Sequence, residues 1–258
     1  MQRRNFIKGS ALLAGAAVTG QAAAAVTQAA PGNEIYELRV YHFKNNGQRN
    51  KLDQFYIDSL IPAMNEHGIK VGVFGEYGET EPPTGYYLLV YPSLPEYHRI
   101  KKALWKNEAF LKKATPYFNE TAETGAFARH ETFLLEAFDA IPQIRMPGQD
   151  RGLFELRIYE SNNEEAGQRK IKMFNEEELA LFDQVGLHAV FFGEILAGPQ
   201  MPALAYMLWF KDMEERSQNW KKFGSAPEWR AMSSKTEYAN TVSVVNKIFL
   251  VPAKHSQI

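Results

Sequence analysis

Tyr36-Glu37-Leu38-Arg39-Val40-Tyr41 returns as Phe154-Glu155-Leu156-Arg157-Ile158-Tyr159, a spacing of 118 residues (36 to 154). Other landmarks follow in the same order. Gly68, Phe74, Gly75 and Glu76 recur at the same spacing as Gly186, Phe192, Gly193 and Glu194. Tyr87, Tyr91, Ser93, Glu96 and Phe110 recur one residue further on as Tyr206, Phe210, Asp212, Glu215 and Trp229. Gly47-Gln48-Arg49 matches Gly167-Gln168-Arg169 at a spacing of 120 (47 to 167), which reads as a slightly longer loop in the second copy. Ordered matches with so little drift mark a tandem duplication.

Each copy carries the same succession of elements. Residues 35–43 alternate apolar and polar side chains, as a strand with one buried face does. Residues 48–67 place Leu52, Phe55, Tyr56, Leu60 and Met64 on one helical face and end at Gly68, a residue suited to a left-handed stop. Strands are expected at 70–77 and 86–91, the second apolar enough to be covered on both faces. Ser93-Leu94-Pro95-Glu96 is a capping box, repeated in kind by Asp212-Met213-Glu214-Glu215, and opens a second helix running to about residue 120. Residues 126–138 and 241–252 supply the last strands.

The order β-α-β-β-α-β, twice, predicts an α+β fold of two ferredoxin-like units. One face of each four-stranded sheet is covered by its own helices, and the other needs a partner. Two sheets back to back, exchanging edges, would close one barrel within the chain. The expected boundaries are 33–140 and 153–254 for the two units, with 141–152, containing Pro142, Pro147 and Gly148, as linker.

Residues 1–30 read differently. Arg3 and Arg4 precede a small-residue apolar run, Ala11 to Ala25, the pattern of a cleaved twin-arginine export signal followed by a spacer. The run is short and broken by Gly15 and Gly20, whereas a membrane span needs about 20 strongly apolar residues. A periplasmic or secreted protein without a stable membrane anchor is expected. The chain has no cysteine, hence no disulfide and no thiolate metal site. With 29 Lys and Arg against 30 Asp and Glu, the net charge of -1 argues against a nucleic-acid surface.

The opening strand, residues 35–41, and its copy at 154–159 resemble the first strand of the NIPSNAP family, and His67-Gly68-Ile69 resembles the His-Gly-Ile that ends that family's first helix. Asn107-Glu108-Ala109-Phe110 and Pro227-Glu228-Trp229 are similar to its helix motif around an aromatic residue. The likeness runs from Ile35 to Pro252, with Val185 standing where the second copy would carry the histidine. It implies a dimeric α+β barrel, here formed within one chain, and is compatible with further association into a homo-oligomer. It brings no defined activity with it. The wider barrel superfamily that it resembles includes monooxygenases, haem-degrading enzymes and lactone isomerases, which place ligands within or beside the barrel.

Glu37, Arg39 and Tyr41 share one face of their strand, as do Glu155, Arg157 and Tyr159. If the apolar faces pack on the helices, these six residues point into the barrel. There two arginines and two tyrosines could hold a small anionic or carbonyl ligand. Alternatively each arginine pairs with a glutamate and fixes the register of the halves. Glu76 and Glu194 stand at equivalent strand ends and would form an acid and base pair if they met across a cavity, or else cap turns. His188 shares strand parity with Val190, Phe192 and Glu194 and is a ligand-site or core histidine. Trp209, Phe191, Phe192, Tyr86 and Tyr206 read as core or as an aromatic cavity lining.

The six histidines form no metal motif, and no phosphate loop, dinucleotide fingerprint or nucleophile elbow occurs, so no cofactor is encoded. Glu176-Glu177-Glu178 and the lysines at 101, 102, 112 and 113 read as solvated helix faces. The expected role is binding of a small organic molecule in or beside the barrel. The alternatives are a monooxygenase-like enzyme, cofactor-independent or haem-linked, and a non-catalytic interaction module.

Overall fold

The computed structural model describes residues 32–78 and 80–258; the export reading of residues 1–30 therefore lies outside the described residues. Eight antiparallel strands close a barrel: β1 (Ile35–His42), β2 (Lys70–Glu76), β3 (Thr84–Tyr91), β4 (Arg129–Ala137), β5 (Leu153–Glu160), β6 (His188–Ala197), β7 (Ala203–Phe210) and β8 (Val244–Pro252). Round the barrel they run β1-β3-β2-β8-β5-β7-β6-β4. Each repeat thus contributes a four-stranded sheet in ferredoxin-like order. The repeats meet at two seams, β2 with β8 and β4 with β6.

Three apolar cores follow from this closure. The barrel interior draws on both repeats, through Tyr36, Leu38, Val40, Phe154, Leu156 and Ile158 among others. Each repeat's helices then pack on the outer face of its own sheet, over Val71, Tyr87 and Leu89 in the first and Ala189, Tyr206 and Leu208 in the second. β3 is buried along nearly its whole length, because both its faces are covered. The C-terminal residues lengthen the β2 seam. Ala253 N donates to Val73 O and Gln257 N to Val71 O, and Ile258 packs into the barrel core.

The opening strands face the opposite way from the expectation. Tyr36, Leu38 and Val40 fill the barrel, while Glu37, Arg39 and Tyr41 lie under the helices, as do Glu155, Arg157 and Tyr159. An eight-stranded barrel has an interior just wide enough for side chains to fill. It offers a charged group neither water nor a partner. The helix layer offers both tyrosine hydroxyls and cations, so the polar face turns to it. Neither arginine therefore sets the register between halves.

The first long helix of each repeat is interrupted by a π-helical turn, Tyr56–Leu60 in one and Phe174–Glu178 in the other, again 118 apart (56 to 174). The N-caps Asn45 and Asn163 and the positive-φ glycines Gly68 (φ 73°) and Gly186 (φ 80°) keep that same spacing. The Gly-Gln-Arg match at 120 is therefore out of structural register, and the second loop is not longer. The expected second helix is two helices in each copy. Asn107, whose side chain accepts from Phe110 N, restarts the first as Leu94–Leu104 and Glu108–Phe118. Pro227 holds Ala226 extended and divides Met213–Ser225 from Pro227–Ser233. The capping boxes are half made: Ser93 and Asp212 accept from the third residue on, but Glu96 turns to Arg99 and Glu215 accepts from Lys211 N.

The barrel core can be checked by truncation. Leu156→Ala, inside the barrel, should lower stability in urea by about 2–5 kcal/mol. Trp105→Ala, which changes an exposed side chain, should stay within about 0.5 kcal/mol of the parent. Equal effects would contradict the burial of Leu156 in the barrel core.

Candidate functional site

A cavity of about 450 Å³ lies between the outer face of the first sheet and its helices. Its floor is built by strand alternation. β1 presents Glu37, Arg39 and Tyr41, and the antiparallel neighbour β4 sets Thr132 opposite Arg39 and His130 opposite Tyr41. Lys101 and Tyr97, one helical turn apart on Leu94–Leu104, overhang the strand. The break at residues 105–107 leaves Trp105 at the mouth, stacked on Phe118 with ring centroids 5.6 Å apart. Phe55, Phe110 and Tyr117 complete an aromatic wall.

Polar contacts converge on Glu37. Arg39 Nε and Nη2 each donate to its carboxylate at 3.0 Å, Lys101 Nζ donates at 2.8 Å, and Tyr91 OH donates at 2.9 Å. Burial would push this carboxyl up, but Arg39 and Lys101 outweigh it and hold the group down at about 2. Arg39 Nη1 also donates to Tyr56 OH at 3.1 Å. Its guanidinium and the Lys101 ammonium keep further donors toward the cavity, because a guanidinium has five N–H and an ammonium three. One carboxylate against two cations leaves the floor with a net positive charge. Burial, then the Arg39 charge, pushes the His130 imidazole below its ordinary value, so it is neutral at pH 7. Its ring stacks on Tyr41 at 5.1 Å.

The second repeat has a corresponding cavity of about 380 Å³ with other chemistry. Glu155 is again the hub: Arg157 Nε donates at 2.8 Å, Arg216 Nε at 2.9 Å and Trp220 Nε1 at 2.8 Å. At a spacing of 119, Arg216 and Trp220 stand where Tyr97 and Lys101 stand in the first repeat (97 to 216, 101 to 220), so cation and aromatic have exchanged places one turn apart. Trp220 lies over the Arg157 guanidinium at 3.6 Å and covers it. Beneath, Lys170 and Glu178 form a buried pair at 2.6 Å.

Five of the six strand residues therefore do reach cavities, but two separate ones outside the barrel, while Glu155 is fully buried behind Arg157 and Trp220. Each arginine pairs with the glutamate two residues before it. Glu76 and Glu194 do not meet. β2 and β6 are four places apart round the barrel, on opposite sides. Glu76 accepts from Thr80 Oγ1 and Tyr86 OH, while Glu194 accepts from Gln168 and stands opposite Glu136 in the ladder. His188 stacks on Trp209 at 4.7 Å at a strand end, a half-exposed place away from both cavities. Phe191 and Tyr86 lie in the barrel, whereas Phe192 and Tyr206 stack on each other beneath the second helices.

Sequence reasoning missed His130, because a lone histidine near a strand start carries no signal until its partner strand is known. Lys101 and Glu178 are corrections, since both were assigned to solvated faces. Lys101 is drawn down onto Glu37, and Glu178 turns inward to Lys170. Among the described residues no group of three or more His, Asp or Glu could hold a metal ion. Among the described residues lining the first cavity, a haem would find one imidazole, His130.

Two β-α-β-β-α-β repeats closing one eight-stranded barrel, each with a cavity beneath its helices, define an intrachain member of the dimeric α+β barrel class. Residues 154–257, the second repeat, match the model of the NIPSNAP family. The first repeat lies outside the match and is tied to it by the 118-residue correspondence. No curated protein matches the sequence. Among solved structures, a candidate monooxygenase of Fusobacterium nucleatum is similar at 11% identity and a TM-score of 0.57, over 86% of this chain and 94% of that one. One from Lactobacillus acidophilus gives 11% and 0.55, over 85% and 94%. An anthrone oxidase-like protein gives 10% and 0.53, over 86% and 92%. At these identities the likeness is one of fold.

The Glu37 cluster makes a pH prediction. A carboxyl held at about 2, below its unfolded value near 4.5, contributes stability that is fully present above pH 4.5 and is lost as pH falls toward 2. The loss amounts to about 3 kcal/mol. Urea unfolding of Glu37→Gln between pH 5 and 2 should therefore show a shallower fall than the parent, and a parallel fall would contradict the pairing.

Proposed function

We propose that the chain binds a small flat aromatic acid in the first repeat's cavity, its ring between the aromatic walls and its anionic group on the cationic floor. The observation that carries this reading is the floor itself: Arg39 and Lys101 share one carboxylate, Glu37, and retain unused donors toward a cavity walled by Trp105, Phe118 and Tyr117. A planar anion would complete the charge balance and displace water from the aromatic faces.

The probe is 2-naphthoate, followed by tryptophan fluorescence. Micromolar to sub-millimolar binding is expected, with the methyl ester at least ten-fold weaker. Thr132→Trp, which fills the floor from β4, should weaken naphthoate binding at least ten-fold while thermal unfolding stays within a few degrees. Equal affinity for acid and ester, or undiminished binding by Thr132→Trp, would sink the reading.

A second reading is an oxygenase that works without a bound cofactor, as the names of the fold neighbours suggest for those proteins. The neutral imidazole of His130 supports it, since it can accept a phenolic proton beside the cations that would steady the phenolate. Oxygen consumption with anthrone, abolished in His130→Phe, is the expected result; none above buffer would remove this reading. Export is part of the same proposal. Replacing Arg3 and Arg4 by Lys should leave the unprocessed chain inside the cell, as fractionation and mass would show, and normal processing would count against it.

A further inference from the structure

We propose that the second repeat's cavity is a separate proton-transfer site, in which Glu178 and Lys170 interconvert the keto and enol forms of a small aryl ketone. The inference rests on a difference between the repeats and is independent of the reading given to the first cavity. By the 118-residue correspondence, Lys170 stands where the first repeat has Leu52 and Glu178 where it has Leu60 (52 to 170, 60 to 178). All four side chains are buried. The same fold therefore accepts two leucines here. A buried ion pair carries a desolvation penalty that a hydrophobic pair of similar volume avoids, so packing alone gives no reason for the charges.

Both charges line the cavity. Glu178 Oε2 accepts from Lys170 Nζ at 2.6 Å, and Oε1 makes no hydrogen bond among the described residues. Lys170 Nζ has one further hydrogen bond, 3.4 Å to Met173 Sδ, and sits 4.2 Å from the Phe174 ring centroid, 6.0 Å from that of Tyr159 and 5.9 Å from that of Trp229. A carboxylate oxygen and an ammonium are thus offered side by side to a ligand. Burial pushes the Glu178 carboxyl up against the pull of Lys170, so it is a stronger base than an exposed glutamate. Trp220, Phe223 and Trp229 on the same wall suit an aryl group. The covered guanidinium of Arg157 makes this cavity a poorer anion site than the first, which favours a neutral ketone.

The step balances without any other reactant. Glu178 takes the proton from the carbon beside the carbonyl, and the C–H pair becomes the new C=C bond. The carbonyl π pair forms an O–H bond to a proton given by Lys170. The residues are left as carboxylic acid and neutral amine, and the proton then passes from Glu178 to Lys170 across their existing contact. The reverse sequence converts enol to ketone.

The test is deuterium incorporation beside the carbonyl of 1-indanone and acetophenone in D₂O, followed by proton NMR with the full chain. The parent should accelerate exchange of at least one ketone ten-fold or more over buffer. Glu178→Gln and the double variant Lys170→Leu/Glu178→Leu should fall to the buffer rate. The double variant should fold with an unchanged or raised Tm, since it reproduces the first repeat. Thr132→Trp, which blocks the other cavity, should retain the acceleration, which keeps this outcome separate from the aromatic-acid reading. No acceleration by the parent, or acceleration that survives Glu178→Gln, overturns the proposal. Should the double variant fail to fold, the single variant still decides.

Discussion

Closing two four-stranded sheets into one barrel sets the constraint on which everything else depends. Once β2 meets β8 and β4 meets β6, the inner faces of all eight strands share one dry interior. A glutamate and an arginine on every opening strand cannot face it, because each would lose its water and find no partner. They must turn outward, beneath the helices. That single requirement places a buried carboxylate, a guanidinium and a tyrosine at the base of a helix-covered cavity in each repeat. Even the two tyrosines of the barrel core obey it: the hydroxyls of Tyr36 and Tyr86 reach Glu34 and Glu76 beside the strand ends.

The two repeats satisfy the outward carboxylate by different means. Glu37 is held by Arg39, Lys101 and Tyr91; Glu155 is held by Arg157, Arg216 and Trp220. Phe210, at the position of Tyr91, has no hydroxyl to give, and the indole of Trp220 supplies that donor from the helix instead. The replacement has a steric consequence. An indole large enough to reach Glu155 also lies flat on Arg157, whereas Lys101 reaches Glu37 as a thin chain and leaves the cavity floor open. Specialisation of the two cavities thus follows from how one buried charge is neutralised.

Much of this was legible in the sequence. The recurrence of Tyr36–Tyr41 as Phe154–Tyr159 with Gly68 and Gly186 behind it fixes two copies of one unit, and the element order fixes the barrel class. What periodicity cannot say is which face of an alternating strand is inside. The usual inference, polar side to the cavity, assumes that the barrel encloses one. Pairing information was also out of reach: His130 acquires meaning only opposite Tyr41, and Lys101 only over Glu37. The Gly-Gln-Arg match was misleading because three surface residues in a helix's first turns can recur without being equivalent.

The Lys170–Glu178 pair was hidden for a geometric reason. In a uniform α-helix, residues eight apart lie about 80° round from each other and about 12 Å along the axis, so a helical wheel does not pair them. The π turn at Phe174–Glu178 adds residues to one turn and returns Glu178 to the face of Lys170. The first repeat has the same turn at Tyr56–Leu60, with Tyr56 bonded to Arg39 from inside it and Leu60 on the cavity wall. A shape shared by both copies, in a region where the helix faces the outward polar strand, is explained by what it aims rather than by what occupies it. The turn fixes which helix positions overlook the cavity, and those positions are then free to carry a leucine in one repeat and an acid in the other.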